Sequence, residues 1–135
     1  ILMKPVETIC VIDDDNIYGF WVKKLLVSKN FCKSLIIFEN GLAGFNYFNE
    51  LKDADGVIPD LILLDINMPV MDGWEFLEEF SKIKEKFDKD IPIYVVSSSI
   101  NPADIERAKG FEEVNGFITK PLTFDNLKQI KLFQD

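Results

Sequence analysis

Short, continuously apolar runs recur along the chain: Ile9-Cys10-Val11-Ile12, Leu35-Ile36-Ile37-Phe38, Leu61-Ile62-Leu63-Leu64, Ile93-Tyr94-Val95-Val96 and Gly116-Phe117-Ile118. None alternates polar with apolar, so each reads as a strand covered on both faces. The stretches between them carry helical spacing. From Tyr18, the residues Trp21, Val22, Leu25 and Leu26 form one stripe. After Asn40-Gly41 the stripe is Phe45, Phe48 and Leu51; after Asp72-Gly73 it is Phe76, Leu77, Phe80, Ile83 and Phe87. A fourth, short helix is expected from Asn101-Pro102 to near Gly110, with proline at its first position. A fifth opens at Thr123, a good N-cap, and carries Phe124, Leu127 and Ile130. Alternating strands and helices at this spacing predict an α/β fold: one domain over 1–135, built as a doubly wound parallel sheet with right-handed crossovers.

Ligands of such folds bind outside the carboxyl ends of the strands. The first run is followed by Asp13, Asp14 and Asp15, the third by Asp65 and then Asn67. The fourth ends in Ser97-Ser98-Ser99, the fifth in Thr119-Lys120-Pro121, and the second in Glu39-Asn40, ordinary loop material. Asp13, Asp14 and Asp65 are therefore expected to converge at one edge. Like charges in one pocket repel unless a cation joins them. Oxygen donors without histidine or cysteine select Mg²⁺ or a similar hard ion. Lys120 adds a point positive charge and Ser97 a hydroxyl. A carboxylate nucleophile beside a divalent ion, with a lysine and a hydroxyl for incoming oxygens, is a sufficient set for phosphoryl transfer. Singly, each residue is ordinary: Asp15 reads as a helix N-cap, Ser97 to Ser99 as a loop, Lys120 as a solvated lysine. Their joint order is what carries the reading. Trp74 and the many phenylalanines read as packing.

Composition narrows the chemistry. The 135 residues hold 15 Lys+Arg against 23 Asp+Glu, a net charge of −8, which argues against a nucleic-acid binder because phosphate backbones need a basic stripe. No histidine is present, which removes a Ser-His-Asp triad and most transition-metal sites. The two cysteines, Cys10 and Cys32, are too few for a disulfide scaffold or a zinc site. No apolar run approaches the ~20 residues of a membrane helix. Ile1-Leu2-Met3-Lys4-Pro5 lacks the long apolar stretch and small-residue cleavage site of a signal peptide.

Together, Val11-Ile12-Asp13-Asp14-Asp15, LILLDINMPVMDG from Leu61 to Gly73, Pro92-Ile93-Tyr94-Val95-Val96-Ser97-Ser98 and Phe117-Ile118-Thr119-Lys120-Pro121 resemble the receiver domain of two-component response regulators. The resemblance spans nearly the whole chain. It implies a flavodoxin-like sheet in the order 2-1-3-4-5 with five helices. It also implies a cytoplasmic signalling module rather than an enzyme, one that assists its own phosphorylation and dephosphorylation. Asp65 would accept a phosphoryl group from a phosphohistidine on a histidine kinase or histidine phosphotransfer protein. Asp14 would bind Mg²⁺ (or Mn²⁺) directly and Asp13 mainly through water, with Asp65 and the backbone carbonyl of Asn67 completing the protein ligands. Ser97 would be the switch hydroxyl, Lys120 the phosphate contact and Lys120-Pro121 a cis peptide. Phe117 takes the aromatic switch position without a hydroxyl, so its readout would be packing alone. The surface it would switch is that of the fourth helix, fifth strand and fifth helix. Gly110 to Asn115 departs from the family's commoner pattern, which leaves the output partner open. No output domain is expected within the chain, which is either a free-standing receiver or a piece of a longer protein.

Two rivals use similar residues. An aspartyl phosphohydrolase would need a carboxylic acid where Asn67 stands. A flavin-phosphate binder would need a hydroxyl- and glycine-rich loop where Asp13 to Asp15 would repel a phosphate. A receiver kept only for docking would not need every reactive residue. Around the site, Ile17 and Phe20 fall off the centre of the first helical stripe. With Pro121 and Leu122 across the pocket, they are expected to form an apolar patch that docks the phosphodonor. No membrane insertion is expected.

Overall fold

The computed structural model describes residues 4–51 and 56–134, so the ends of the expected 1–135 domain, including Ile1 to Met3, lie outside the described residues. Five strands, β1 (Val6–Ile12), β2 (Cys32–Phe38), β3 (Leu61–Leu64), β4 (Ile93–Ser97) and β5 (Val114–Thr119), alternate with five helices. The helices are α1 (Asn16–Ser28), α2 (Gly41–Glu50), α3 (Gly73–Ile83), α4 (Pro102–Lys109) and α5 (Phe124–Gln129). The strands form one parallel sheet in the order β2-β1-β3-β4-β5, as expected.

The unbroken apolar runs have a direct cause: successive residues feed two cores. Cys10 and Ile12 of β1, with Ile62 and Leu64 of β3, pack under Phe48 of α2, Phe76 and Phe80 of α3, and Ala108 of α4. Ile9 and Val11, with Leu61 and Leu63, face Val22 and Leu26 of α1 and Leu127 of α5. From Thr8 to Ile12 of β1, and along all of β3, neither face meets water, so the apolar run cannot alternate. On the first face Phe48 meets Phe76, Phe80 and Phe87 edge to face, Phe80 at 5.3 Å between ring centroids, while Phe80 stacks on Phe76 and Phe87. Gly44 lets α2 approach β1 closely, since a Cβ there would lie 2.7 Å from Ile12 Cδ1.

Local signals set the helix ends. Asp72 and Glu75 form a capping box on α3, and Asn101 caps α4 with Pro102 at its first position. Thr123 caps α5. Two expectations need correction. Trp21 is 45% exposed, because α1 buries Gly19, Val22 and Leu26 and leaves Trp21 among the exposed positions, with Ile17 and Phe20. Phe87 lies beyond α3, which tightens at Ile83 into a 3₁₀ turn over Lys84–Lys86; the ring still reaches the core. Asp15 is the N-cap of α1, as its place after the first strand suggests: it accepts the amides of Ile17 and Tyr18, and the first turn begins at Asn16.

Candidate functional site

Parallel pairing delivers the strand ends to one edge. The Asp13 amide donates to the Phe38 carbonyl at 3.0 Å and the Asp65 amide to the Ile12 carbonyl at 2.9 Å, so each aspartate continues its strand by one step. Ser97 pairs with Thr119, and the Lys120 amide donates to the Ser97 carbonyl at 2.8 Å. Side chains from β1, β3, β4 and β5 therefore stand at the same end of the sheet.

One ligand oxygen from each of Asp13, Asp14 and Asp65 falls within 4.8 Å of the others. Asp13 and Asp65 are buried and Asp14 is exposed, so the cluster opens to solvent on one side. Lys120 Nζ lies 2.9 Å from Asp13 Oδ2 and 3.8 Å from Asp65 Oδ2. It also sits 4.3 Å from the centroid of the Tyr18 ring. The Ile66 amide donates to Asp65 Oδ1 at 2.9 Å. Burial, then repulsion from Asp13, pushes the Asp65 carboxyl up to about 6, against the pull of Lys120 and of the Ile66 amide. Burial also raises the Tyr18 phenol, reinforced by Asp13, Asp65 and Asp15.

The loop after β3 is shaped by close contact. Gly73 donates its amide to the Ile66 carbonyl at 2.8 Å, and a Cβ there would lie 2.4 Å from the Asp65 carbonyl oxygen. Only glycine lets α3 start that near Asp65. The Met71 amide closes on the Pro69 carbonyl at 2.8 Å around Val70, whose φ is +69°. The Lys120-Pro121 peptide is cis.

Ser97 is fully buried and its Oγ accepts the Ser99 amide at 3.1 Å. Ser99 Oγ in turn donates to Asp104 of α4 at 2.5 Å, a link that sequence reasoning missed. Phe117 is half-buried against the core under α3 and α4, two residues before the partner of Ser97 on β5. Asn67 is exposed at the rim. Ile17 and Phe20 are 84% and 66% exposed, and Pro121 is exposed as well. Leu122 does not join them. It is 0% exposed, packed with Val22, Leu26 and Leu127, so it belongs to the core between α1 and α5 and offers no docking surface.

The donor set is all oxygen, clustered, and next to a lysine, which fits a hard divalent cation. A family model for the response regulator receiver domain matches residues 9–131. The chain belongs to that family. It resembles the response regulator Rcp1 of Synechocystis sp., 31% identical over 91% of this chain and 82% of Rcp1. It also resembles the sensor histidine kinase CheAY of Helicobacter pylori, 36% identical over 90% of this chain but only 14% of that kinase. A two-component response regulator from Cytophaga hutchinsonii superposes with a TM-score of 0.83 and 30% identity, covering 93% of each chain. This is thus a receiver domain of two-component phosphorelay signalling, a signalling module of a class phosphorylated by histidine kinases. Receivers bind a divalent metal at an acidic pocket, and Rcp1 itself has a Mn²⁺-bound form. Among the described residues, no helix is long and apolar enough to cross a membrane.

Proposed function

We propose that Asp65 is the phosphoacceptor of this receiver, taking a phosphoryl group from a phosphohistidine on a histidine kinase or a histidine phosphotransfer protein. The observation that carries the reading is the clustering of Asp13, Asp14 and Asp65 within 4.8 Å, with the Lys120 ammonium at 2.9 Å and 3.8 Å from two of them. Asp14, Asp65 and the Asn67 carbonyl would hold Mg²⁺ or Mn²⁺ directly, and Asp13 mainly through water. When bound, the cation neutralises the carboxylate cluster and the charge that builds on the transferring phosphoryl group.

The protein's own groups do the rest. An Asp65 carboxylate oxygen forms the new bond to phosphorus. The phosphorus–nitrogen bond to the donor imidazole breaks, and its electron pair stays on that nitrogen. The Ile66 amide holds the other Asp65 oxygen in place, leaving the first free to attack. Lys120 moves its charge toward the arriving oxygens, and the Ser97 hydroxyl proton supplies a further donor. Loss of the group is a separate hydrolysis at the same site: a water oxygen bonds to phosphorus, the Asp65–phosphorus bond breaks, and the carboxylate is restored as inorganic phosphate leaves.

The phosphoryl adds about two negative charges beside Ser97 and Lys120. Drawing Ser97 inward releases the Ser99 amide and frees space for Phe117 to turn in, which reshapes the surface of α4, β5 and α5. A two-state element of this kind needs only ~1–3 kcal/mol of coupling. The donor docks on Ile17, Phe20 and Pro121 beside the site. Residues 1–135 act as one receiver unit in the cytoplasm, without contacting nucleic acid or membrane directly.

The test is incubation with Mg²⁺ and acetyl phosphate, read by intact mass. An acid-labile phosphoryl adduct, absent in Asp65→Asn, is expected. No adduct on the folded protein, or an adduct that survives in Asp65→Asn, would overturn the assignment. Phe20→Ala is expected to slow transfer from the phosphohistidine partner while leaving acetyl phosphate labelling within about twofold. Equal losses with both donors would mean Phe20 supports the fold of the site instead.

A further inference from the structure

Lysine is a flexible four-carbon stem ending in a compact charge, so a lysine used for phosphoryl contact needs something to hold it. Around Lys120 Nζ stand Asp13 Oδ2 at 2.9 Å, Asp65 Oδ2 at 3.8 Å and the face of Tyr18 at 4.3 Å from its centroid. The two carboxylates pull the ammonium in directions fixed by their oxygens. The ring is different. It attracts a cation through its quadrupole without asking for a particular hydrogen-bond direction.

Tyr18 owes its place to the start of α1. Asp15 accepts the amides of Ile17 at 3.0 Å and Tyr18 at 3.1 Å, which fixes the first turn directly after β1. Long helical side chains lean back over the turn that precedes them, here toward the strand ends. Neighbouring Ile17 and Phe20 are exposed, whereas Tyr18 is half-buried and packs against the core between α1 and α5. Its ring is therefore a fixed wall of the pocket.

We propose that Tyr18 is a positioning residue, whose ring face holds the Lys120 ammonium between Asp13 and Asp65 and guides it to the phosphoryl oxygens. The proposal rests on the reading of Asp65 as acceptor and Lys120 as phosphoryl contact. As the phosphoryl group arrives, Lys120 slides along the ring away from Asp13 without first being released to water. Tyr18 touches neither the phosphoryl group nor the metal ligands' bonding oxygens in this scheme; it acts through Lys120.

The test compares Tyr18→Phe, Tyr18→Leu and Lys120→Ala in the intact chain, with acetyl phosphate and Mg²⁺. Tyr18→Leu is expected to slow phosphorylation roughly three- to tenfold, the size of a partly desolvated cation–ring contact. Tyr18→Phe keeps the ring face and is expected to stay within about twofold of the original chain. The second readout is the Lys120 ε-methylene proton resonance. It is expected upfield of the other lysines in the unsubstituted protein and in Tyr18→Phe, and at the ordinary lysine position in Tyr18→Leu. If Lys120→Ala is slow but Tyr18→Leu is not, the positioning role is overturned while the phosphoacceptor reading stands. If Lys120→Ala phosphorylates at the original rate, the reading of Lys120 falls and the proposal with it. Tyr18→Phe as slow as Tyr18→Leu assigns the effect to the phenol hydroxyl and also overturns the proposal. An ordinary Lys120 resonance in the unsubstituted protein does so without any variant having to fold.

Discussion

Strand β3 is bracketed by two aspartates in opposite circumstances. At its amino end, Asp60 accepts the amides of Glu7 and Thr8, both at 3.1 Å, and the Lys89 ammonium at 2.6 Å. Its negative charge is fully employed in tying β1 to β3. At its carboxyl end, Asp65 accepts one amide, sees Lys120 only at 3.8 Å, and faces the negative charge of Asp13. The residue type is the same and the strand is the same. What differs is how much of the charge the fold has already satisfied. A satisfied carboxylate holds structure together, while an underserved one is ready to bond to something that arrives.

The largest effect separates these roles. Asp65→Asn is expected to cut Mg²⁺-dependent labelling by acetyl phosphate at least ~100-fold, because the proposed nucleophile is lost. Asp60→Asn should label within about twofold of the original chain but lose about 1–2 kcal/mol of stability, as charge-assisted bonds become neutral ones. Intact mass and urea unfolding measure the two. If Asp60→Asn also failed to label, the two ends would not be independent and the comparison would break.

The backbone beside Asp65 offers the next test. Gly73→Ala places a methyl 2.4 Å from the Asp65 carbonyl oxygen and 2.8 Å from Ile66 Cα, both backbone atoms that cannot step aside. A loss of about 2–4 kcal/mol is expected, as for overpacking of a close contact. Mg²⁺ affinity, followed by tryptophan fluorescence, should fall with it, since the β3–α3 loop must shift. Full stability in urea would show that the loop is more yielding than its contacts imply.

Much of this was legible in the sequence, for reasons that differ by region. Strands β1 and β3 announced themselves because burial on both faces leaves little room for polar residues, whereas β2 and β5, at the sheet edges, are only partly buried and keep polar positions such as Lys33 and Asn115. The convergence of Asp13, Asp14, Asp65 and Lys120 follows from parallel topology. Side-chain direction within α1 was less legible. Tyr18, Trp21 and Phe20 are all aromatic, and a stripe that includes both Trp21 and Val22 leaves the rotation of the helix loose. Glycine at position 19 settles it by joining Val22 and Leu26 on the buried side, but a glycine carries no hydrophobic signal. Leu122 was misplaced for a related reason. It adjoins exposed Pro121 in sequence, yet its side chain turns into the core beside Leu127. Short links such as Ser99 to Asp104 leave no periodic trace at all.

A smaller effect tests the charge imbalance directly, through pH. An unfolded aspartate ionises near 3.9, whereas folded Asp65 is pushed up to about 6. Between those values the folded protein holds more protons than the unfolded one, so this group makes stability fall as pH rises from ~4 to ~6. Above that window the penalty is complete, on the order of 2–3 kcal/mol at 1.36 kcal/mol per unit. With a chelator present, Asp65→Asn should therefore be more stable than the original chain at pH 7.5 and no more stable at pH 4. An equal gain at both pH values would assign the benefit to packing rather than to relief of charge.

The smallest effect concerns backbone strain, and again the two ends of the sheet differ. At the amino end, Asn30 has φ +62° just after α1, where its amide reaches the Val27 carbonyl at 3.1 Å and the Phe31 amide reaches Leu26 at 2.8 Å. That is a Schellman ending, and asparagine tolerates it. At the carboxyl end, Val70 has φ +69° inside the tight Pro69–Met71 turn, a conformation that a β-branched residue strongly disfavours. Its side chain is 73% exposed, so little packing compensates. Strain of this kind costs roughly 1–3 kcal/mol. Glycine relieves it but gives back about 0.5–1 kcal/mol through the greater freedom of the unfolded chain. Val70→Gly is thus expected to stabilise by about 0.5–2 kcal/mol, a rise of a few degrees in melting temperature for a domain of this size. Asn30→Gly, starting from a residue already at ease, should change it by less than ~0.5 kcal/mol. Thermal unfolding of the two variants side by side, without Mg²⁺, decides it: equal shifts would mean that Val70 stores no more strain than Asn30, and that the β3–α3 loop is shaped by its glycine and hydrogen bonds alone.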